Sequence, residues 1–425
     1  MLSLILHVFL ATVFQAKAAP ITLEQAFQSA LQKNETAQQS REQVLQAHEQ
    51  IVQAKSTIYP QLAFNMDYLI QPLPSDPVAR SFSPERQTTS RLTLKQPLFR
   101  GFREFAAVRQ RKSLFAASEQ GRLAVLLQLY QQVAGSYLNI LALEQDLKNL
   151  KEQLIIYEQR VKELRARTRR GESSANEVLT AQSTNASLEA EDRMVQAELK
   201  KERENFELLT TLPQDVVLAD EWANGKEEAP KIGKLEEYLA RIEERPDVKS
   251  AREKMRAFAE EVSVAKGGHW PSLDAEGNYY LQRPGFLSDL DWDVRFTLTF
   301  PLFEGGLRFS QTREAVSKRT TGELELAKAR RQAMADIRSL HEGLKMRTDQ
   351  LAALKRSTEI SEKNYQVLQR DYRRGLVKNI DVQTGLTEYR AARRGYDQAR
   401  YLAQLELIQL KAAAAILPLA LTKEL

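Results

Sequence analysis

A chain of 425 residues that is 28% charged and 43% hydrophobic carries enough apolar material for a core and is not a disordered segment. It has no Cys and only 4 His, which excludes disulfides, thiolate zinc sites, Cys nucleophiles and lipid attachment through an N-terminal Cys, and argues against metal and cofactor chemistry. The 61 basic and 56 acidic residues, net +5, are interleaved rather than gathered into one arm, so no nucleic-acid partner is expected.

In chain order, residues 1–18 read as a secretory signal peptide: an apolar run from Leu2 to Phe14, then the small-x-small pattern Ala16-Lys17-Ala18, although no Lys or Arg precedes the run. At about 13 residues the run is shorter than the ~20 that span a bilayer as a helix. With 17 Gly and 14 Pro in the whole chain, well below the usual ~12%, long helices are expected. Residues 22–57 are helical in composition, with Thr22 as N-cap and Pro60 ending the segment. Strands are expected at about 59–70 and 89–99, where Leu62, Phe64, Met66, Tyr68 and Ile70 fall on one face. From about 103 to 169 the period becomes 3.5: Leu126, Leu129, Val133, Ile140, Leu143, Leu147, Leu150, Leu154, Tyr157, Val161 and Leu164 keep a heptad register interrupted at Ser136. Such a helix is ~100 Å long at 1.5 Å per residue. A partner helix follows to about 211, with Gly171 as the turn between them.

The chain is then written a second time. Val52 to Leu62 recurs as Ser263 to Leu273, Arg91-Leu92-Thr93-Leu94 as Arg295-Phe296-Thr297-Leu298, Pro97-Leu98-Phe99 with Gly101 as Pro301-Leu302-Phe303 with Gly305, and Arg169-Arg170-Gly171 as Arg373-Arg374-Gly375. The division expected is a first repeat over 19–212, a linker over 213–234, a second repeat over 235–418 with strands at about 270–282 and 290–303 and a tip near 375, and a short tail over 419–425. Each repeat reads helix, strand, strand, long helix, long helix. In the last strand Trp292, Val294, Phe296, Leu298 and Phe300 alternate with polar residues, and ten residues is the length of a tilted membrane-spanning strand. Four strands cannot close a barrel, and an open edge in lipid costs several kcal/mol per unpaired group. Closure therefore calls for several chains, and twelve strands from three copies is the smallest set that leaves a lumen.

The double repeat, the Pro-Leu-Phe-x-Gly strand ends and the turn Arg167-x-Arg169-x-Gly171 followed by Glu177-Val178-Leu179-x-Ala181-Gln182 resemble the TolC-like outer membrane efflux proteins. The resemblance implies a mainly α fold with a β-barrel portion: a trimeric 12-stranded outer-membrane barrel continuous with a periplasmic α-helical tunnel. It implies a passive duct for tripartite efflux or type I secretion, with a periplasmic adaptor, an inner-membrane pump and outer-membrane lipids as partners. Carried over position by position, the periplasmic gate candidates are Glu177, Tyr372, Lys378 and Asp381. The hairpin tips, with the adaptor contact, are Arg167, Arg169, Arg170, Gly171, Arg373, Arg374 and Gly375. A gate Arg of the family falls on Val377, beside Lys378, and a further acidic position of the family falls on Thr384. A periplasmic adaptor or a soluble coiled-coil scaffold are the competing readings; an enzyme has no constellation to stand on. Glu177 and Asp381 are expected to pair with basic residues of adjacent helices when the tunnel is shut, and neither Asp381 nor Tyr372 is expected to be needed as a helix cap.

Overall fold

The computed structural model describes residues 19–83, 85–222 and 230–422. The expected signal segment 1–18, and parts of the linker and of the C-terminal tail, lie outside the described residues. The elements in order are α1 (Leu23–Lys33), α2 (Glu35–Ser56), β1 (Gln61–Ile70), α3 (Pro77–Phe82), β2 (Arg86–Arg100), α4 (Arg103–Arg169), α5 (Ala175–Thr210), α6 (Leu235–Leu239), α7 (Pro246–Gly267), β3 (Ser272–Gln282), β4 (Trp292–Thr299), α8 (Leu307–Arg373), α9 (Asn379–Ala413) and α10 (Leu419–Thr422).

The helix expected over 22–57 is in fact two. Asn34 sits in extended backbone between α1 and α2, and its side chain accepts the Thr36 N–H at 2.9 Å, the geometry of an N-cap. The same side chain donates to the Leu209 carbonyl at 3.1 Å, so the break is fixed by a tertiary contact as well as a local one. Thr22 caps α1 through a reciprocal pair with Gln25.

The strands form one antiparallel sheet in the order β1-β2-β3-β4. β2 starts at Arg86, earlier than its alternation suggests, because Arg86 pairs with Ile70 at the far end of β1. β4 stops at Thr299, two residues before Pro301, which has no N–H to give a ladder. One face is apolar and bare: Phe64, Met66, Phe296 and Leu298 are 57%, 66%, 67% and 70% exposed. The other face is polar, with a hydrogen-bond chain across all four strands. Asn65 donates to Thr93, Thr93 to Asn278 and Asn278 to Asp293, at 3.0, 2.9 and 2.9 Å. A sheet that bares its apolar side and links its polar side by hydrogen bonds, with Thr93 and Asn278 buried at its middle, is the inverse of a water-soluble one.

α4 and α8 are each 67 residues long, so each extends ~100 Å from the sheet. Toward the sheet α4 lies against α2 and α7, where Ser250 donates to the Ala117 carbonyl at 2.8 Å and Gln110 to Glu261 at 3.2 Å. Further out α4 lies against α5, with Ser136 donating to Glu202 at 2.5 Å. That contact explains the polar break in the heptad stripe: Ser136 is buried but bonded. Midway along, Leu126, Val133, Tyr137 and Ile140 pack with Phe27, Phe206, Tyr401 and Leu421. The linker is drawn into this core, since Ile21 and Leu218 form a parallel bridge and the Tyr137 hydroxyl lies 2.5 Å from the Ala219 carbonyl. α10 is docked there too, with Ala420 and Leu421 buried. Among the described residues no helix is long and apolar enough to cross a membrane.

Candidate functional site at the hairpin tips

At their far ends α4 and α8 turn back into α5 and α9 by the same backbone device. Gly171 and Gly375 adopt φ of 77° and 74°, a left-handed conformation that glycine enters without a Cβ penalty. At the first tip the Gly171 N–H donates to the Thr168 carbonyl and the Glu172 N–H to the Arg167 carbonyl. At the second, Gly375 donates to Tyr372 and Leu376 to Asp371. These are paired Schellman bonds, which satisfy carbonyls that the helix ends would leave open.

The helices that leave the turns are capped differently. α5 has Ser174 at its N-cap, accepting the Glu177 N–H at 3.4 Å. α9 has Lys378 there, which carries no acceptor, and Asp381 reaches back to accept the Lys378 N–H at 2.8 Å. Asp381 is therefore a capping residue, contrary to the expectation that neither it nor Tyr372 is needed to cap the helix. Glu177 accepts a short hydrogen bond from the Ser173 hydroxyl. Neither carboxylate forms a salt bridge among the described residues of the chain. The acid that does pair with the tip arginines is Glu172: Arg170 lies 2.8 Å from it and Arg167 3.8 Å. The hydrogen bond from Arg170 holds the Glu172 carboxyl below its ordinary range.

Tyr372 is the point where the two repeats meet. Arg167 of α4 donates to its hydroxyl at 2.9 Å and lies 5.0 Å from the ring centroid, and Arg160, about two turns back along α4, lies over the same ring at 4.6 Å. Arg160 also donates a short hydrogen bond to Asn379, the buried first residue of α9. One tyrosine thus sits under two guanidiniums, an arrangement of cation–π contacts reinforced by a hydrogen bond. Lys378 forms no salt bridge among the described residues. Arg169, Arg170, Arg373 and Arg374 are exposed, as is Thr384, while Val377 is half-buried. Sequence reading singled out Tyr372 and Arg167 but not Arg160, Glu172 or Asn379; the (i, i+7) spacing of Arg160 and Arg167 on one helix face was the available signal.

A second polar layer lies further along the shaft. Buried Asp146 of α4 receives Arg394 of α9 at 2.6 Å, and Arg394 also reaches Glu191 of α5. Asn149 donates to Asp397 at 2.9 Å and Arg393 pairs with Glu152 at 3.3 Å. Burial pushes the Asp146 carboxyl up against the pull of Arg394, and pushes the Arg390 guanidinium down. The layer ties α9 to α4 and α5 across the two repeats. Among the described residues no cluster of His, Asp and Glu could hold a metal ion.

Known folds share this architecture. The outer membrane protein VceC from Vibrio cholerae superposes with a TM-score of 0.80 at 18% identity, covering 92% of this chain and 95% of its own. The Campylobacter jejuni CmeC outer membrane channel gives 0.77 at 17% identity, covering 92% and 85%. The open state of the Neisseria gonorrhoeae MtrE outer membrane channel gives 0.75 at 17%, covering 92% and 88%. No curated relative matches the sequence. The family model for outer membrane efflux proteins matches residues 26–211 and 240–415, nearly all of both repeats. The chain therefore belongs to the outer membrane efflux protein family, whose members are outer-membrane channels with a long periplasmic helical tunnel rather than enzymes.

Proposed function

We propose that three copies of the chain form a passive exit duct, gated at its periplasmic end, for a tripartite efflux or type I secretion system. The observation that carries this reading is the sheet: four strands with bare outer edges on β1 and β4, an exposed apolar face, and a polar face crossed by a chain of hydrogen bonds. Unpaired edge groups are untenable in hydrocarbon, and copies that pair edge to edge remove them. The apolar face then meets outer-membrane lipid and the polar face lines the lumen. The helices continue the wall for ~100 Å into the periplasm, and the exposed arginines Arg169, Arg373 and Arg374 offer a periplasmic adaptor a cationic docking ring that joins the duct to an inner-membrane pump.

Closure is assigned to the tips. Tyr372 beneath Arg160 and Arg167 holds the second hairpin against the first. Widening the tunnel there requires one hairpin to move relative to the other, which breaks these contacts. Native mass spectrometry of the detergent-solubilised protein tests the assembly: a trimer is expected, and a stable monomer that needs no detergent would overturn both barrel and tunnel.

A further inference from the structure

The two bare sheet edges carry information about how copies meet. We propose that β4 of one copy pairs with β1 of the next in the register that places Arg295 opposite the partner subunit's Asp67, an ion pair on the lumen face of each seam. This rests on the trimeric reading above and adds the register.

The starting point is a rung that crosses the sheet without a bulge: Gln61 pairs with Lys95, Lys95 with Glu276 and Glu276 with Arg295. Were the strands upright, Arg295 would stand level with position 61 of the next copy. In a barrel, strands tilt by ~35–45°; with a spacing of ~4.8 Å and a rise of ~3.3 Å per residue, four strands accumulate a stagger of about four to six residues. A stagger toward lower numbers would set β4 against Pro60 and the end of α2, so the shift runs toward higher numbers, where all of β4 stays within β1. Alternation of side chains permits only an even shift, because an odd one would turn apolar residues into the lumen.

Two registers remain. A shift of four sets Asp293 opposite the partner subunit's Asp67 and Arg295 opposite its Asn65; carboxylates directly across a strand pair repel. A shift of six sets Arg295 opposite the partner subunit's Asp67 and, on the lipid face, Phe296 beside the partner's Met66 and Leu298 beside the partner's Phe64. The side chains favour the second. Glu276, the in-sheet neighbour of Arg295, is turned to Lys95 at 3.3 Å, and Arg295 forms no salt bridge among the described residues. Asp67 is held only loosely, by Arg91 at 3.8 Å, with its side chain 64% exposed. One edge presents a cation that lies in the field of Glu276 and Asp293 without a salt bridge to either, and the other a weakly engaged carboxylate.

The absence of Cys from the chain makes the test direct. Directly opposed Cβ atoms lie ~4.5–5.5 Å apart, close enough for a disulfide after small adjustment. Oxidation of D67C/R295C in native outer membranes is expected to give a covalent trimer on non-reducing gels, while N65C/R295C stays monomeric. Crosslinking of N65C/R295C in its place, or of neither variant, overturns the register. A thermodynamic arm needs no new bond: D67N and R295Q should each lower the temperature at which the trimer dissociates in detergent, and D67N/R295Q should be no worse than either alone. Additive losses count against the pair. Native mass spectrometry of the unsubstituted protein separates the two claims, since a trimer with the wrong crosslink sinks only the seam and a monomer sinks both.

Discussion

The first and second hairpin tips share a backbone and differ in the chemistry laid on it. Both end a 67-residue helix in a Schellman turn on a left-handed glycine. The first tip pairs two of its arginines, Arg167 and Arg170, with Glu172 within the turn, and caps the next helix with a serine. The second tip has Arg373, Arg374 and Lys378 with no salt bridge among the described residues, and the acid of its next helix, Asp381, is engaged as a helix cap. Duplication thus kept what the turn geometry requires and let the charges diverge. The first tip is self-contained; the second depends on Arg160 and Arg167 of the first to hold it in place.

The strongest way to break that asymmetry is to remove the arginine that touches both helices of the second hairpin. Arg160→Ala deletes a guanidinium over Tyr372 and the bond to Asn379. At ~0.5–2 kcal/mol for the cation–π contact alone, summed over three copies, the loss is several kcal/mol of closed-state stability. Single-channel recording in planar bilayers should show a larger open fraction, with Arg160→Lys in between because an ammonium lacks the planar fork. Unchanged conductance in R160A, together with unchanged conductance in Y372F, would move the gate away from this contact.

Asp381→Ala against Glu177→Ala sharpens the comparison one step further. Loss of the Asp381 cap should cost α9 about 0.5–2 kcal/mol at its first turn, read as faster hydrogen exchange of amides 378–382. Glu177→Ala removes only the acceptor for Ser173 and leaves the Ser174 cap in place, so amides 174–178 should change little. Equal effects at both tips would mean that the two caps are equivalent after all.

Much of this was legible in the sequence, for reasons that also mark where legibility stops. The heptad stripe and Gly171 delimit α4, and period-two alternation finds the strands, because both report how one segment buries one face. What periodicity does not report is which segment covers it. Arg160 and Asn379 are far apart in sequence and meet only because α4 and α9 cross repeats. Asp146 reads as a surface acid until Arg394 and Glu191 arrive on it. Asn34 reads as a helix interior residue because its cap is confirmed by Leu209, at the end of α5. Glu172 looks like one more solvated turn residue, and the expectation placed the neutralising role on Glu177 and Asp381, whose repeat symmetry was visible. Symmetry located equivalent positions; it did not say that their partners were equivalent.

The smallest expected effect tests whether the first tip is truly self-contained. Glu172 is exposed, and its carboxyl is held below its ordinary value of 4.5 chiefly by the hydrogen bond from Arg170, with Arg167 adding a weaker pull. Because the folded value is depressed, the pair's contribution is complete above the ordinary value and is lost as pH falls through the depressed one. An exposed pair is also screened by salt. Hydrogen exchange at the Gly171 and Glu172 amides, corrected for intrinsic rates, should therefore be faster in Glu172→Gln than in the parent at pH 7 and low salt. The difference should shrink with added salt and vanish below the depressed value, where the parent has itself become neutral. The corresponding amides of the second tip, Gly375 and Leu376, should not respond to this variant at either pH. A difference that persists in acid would mean that Glu172 acts by shape and not by charge, and the contrast between a tip with paired arginines and one without would lose its electrostatic basis.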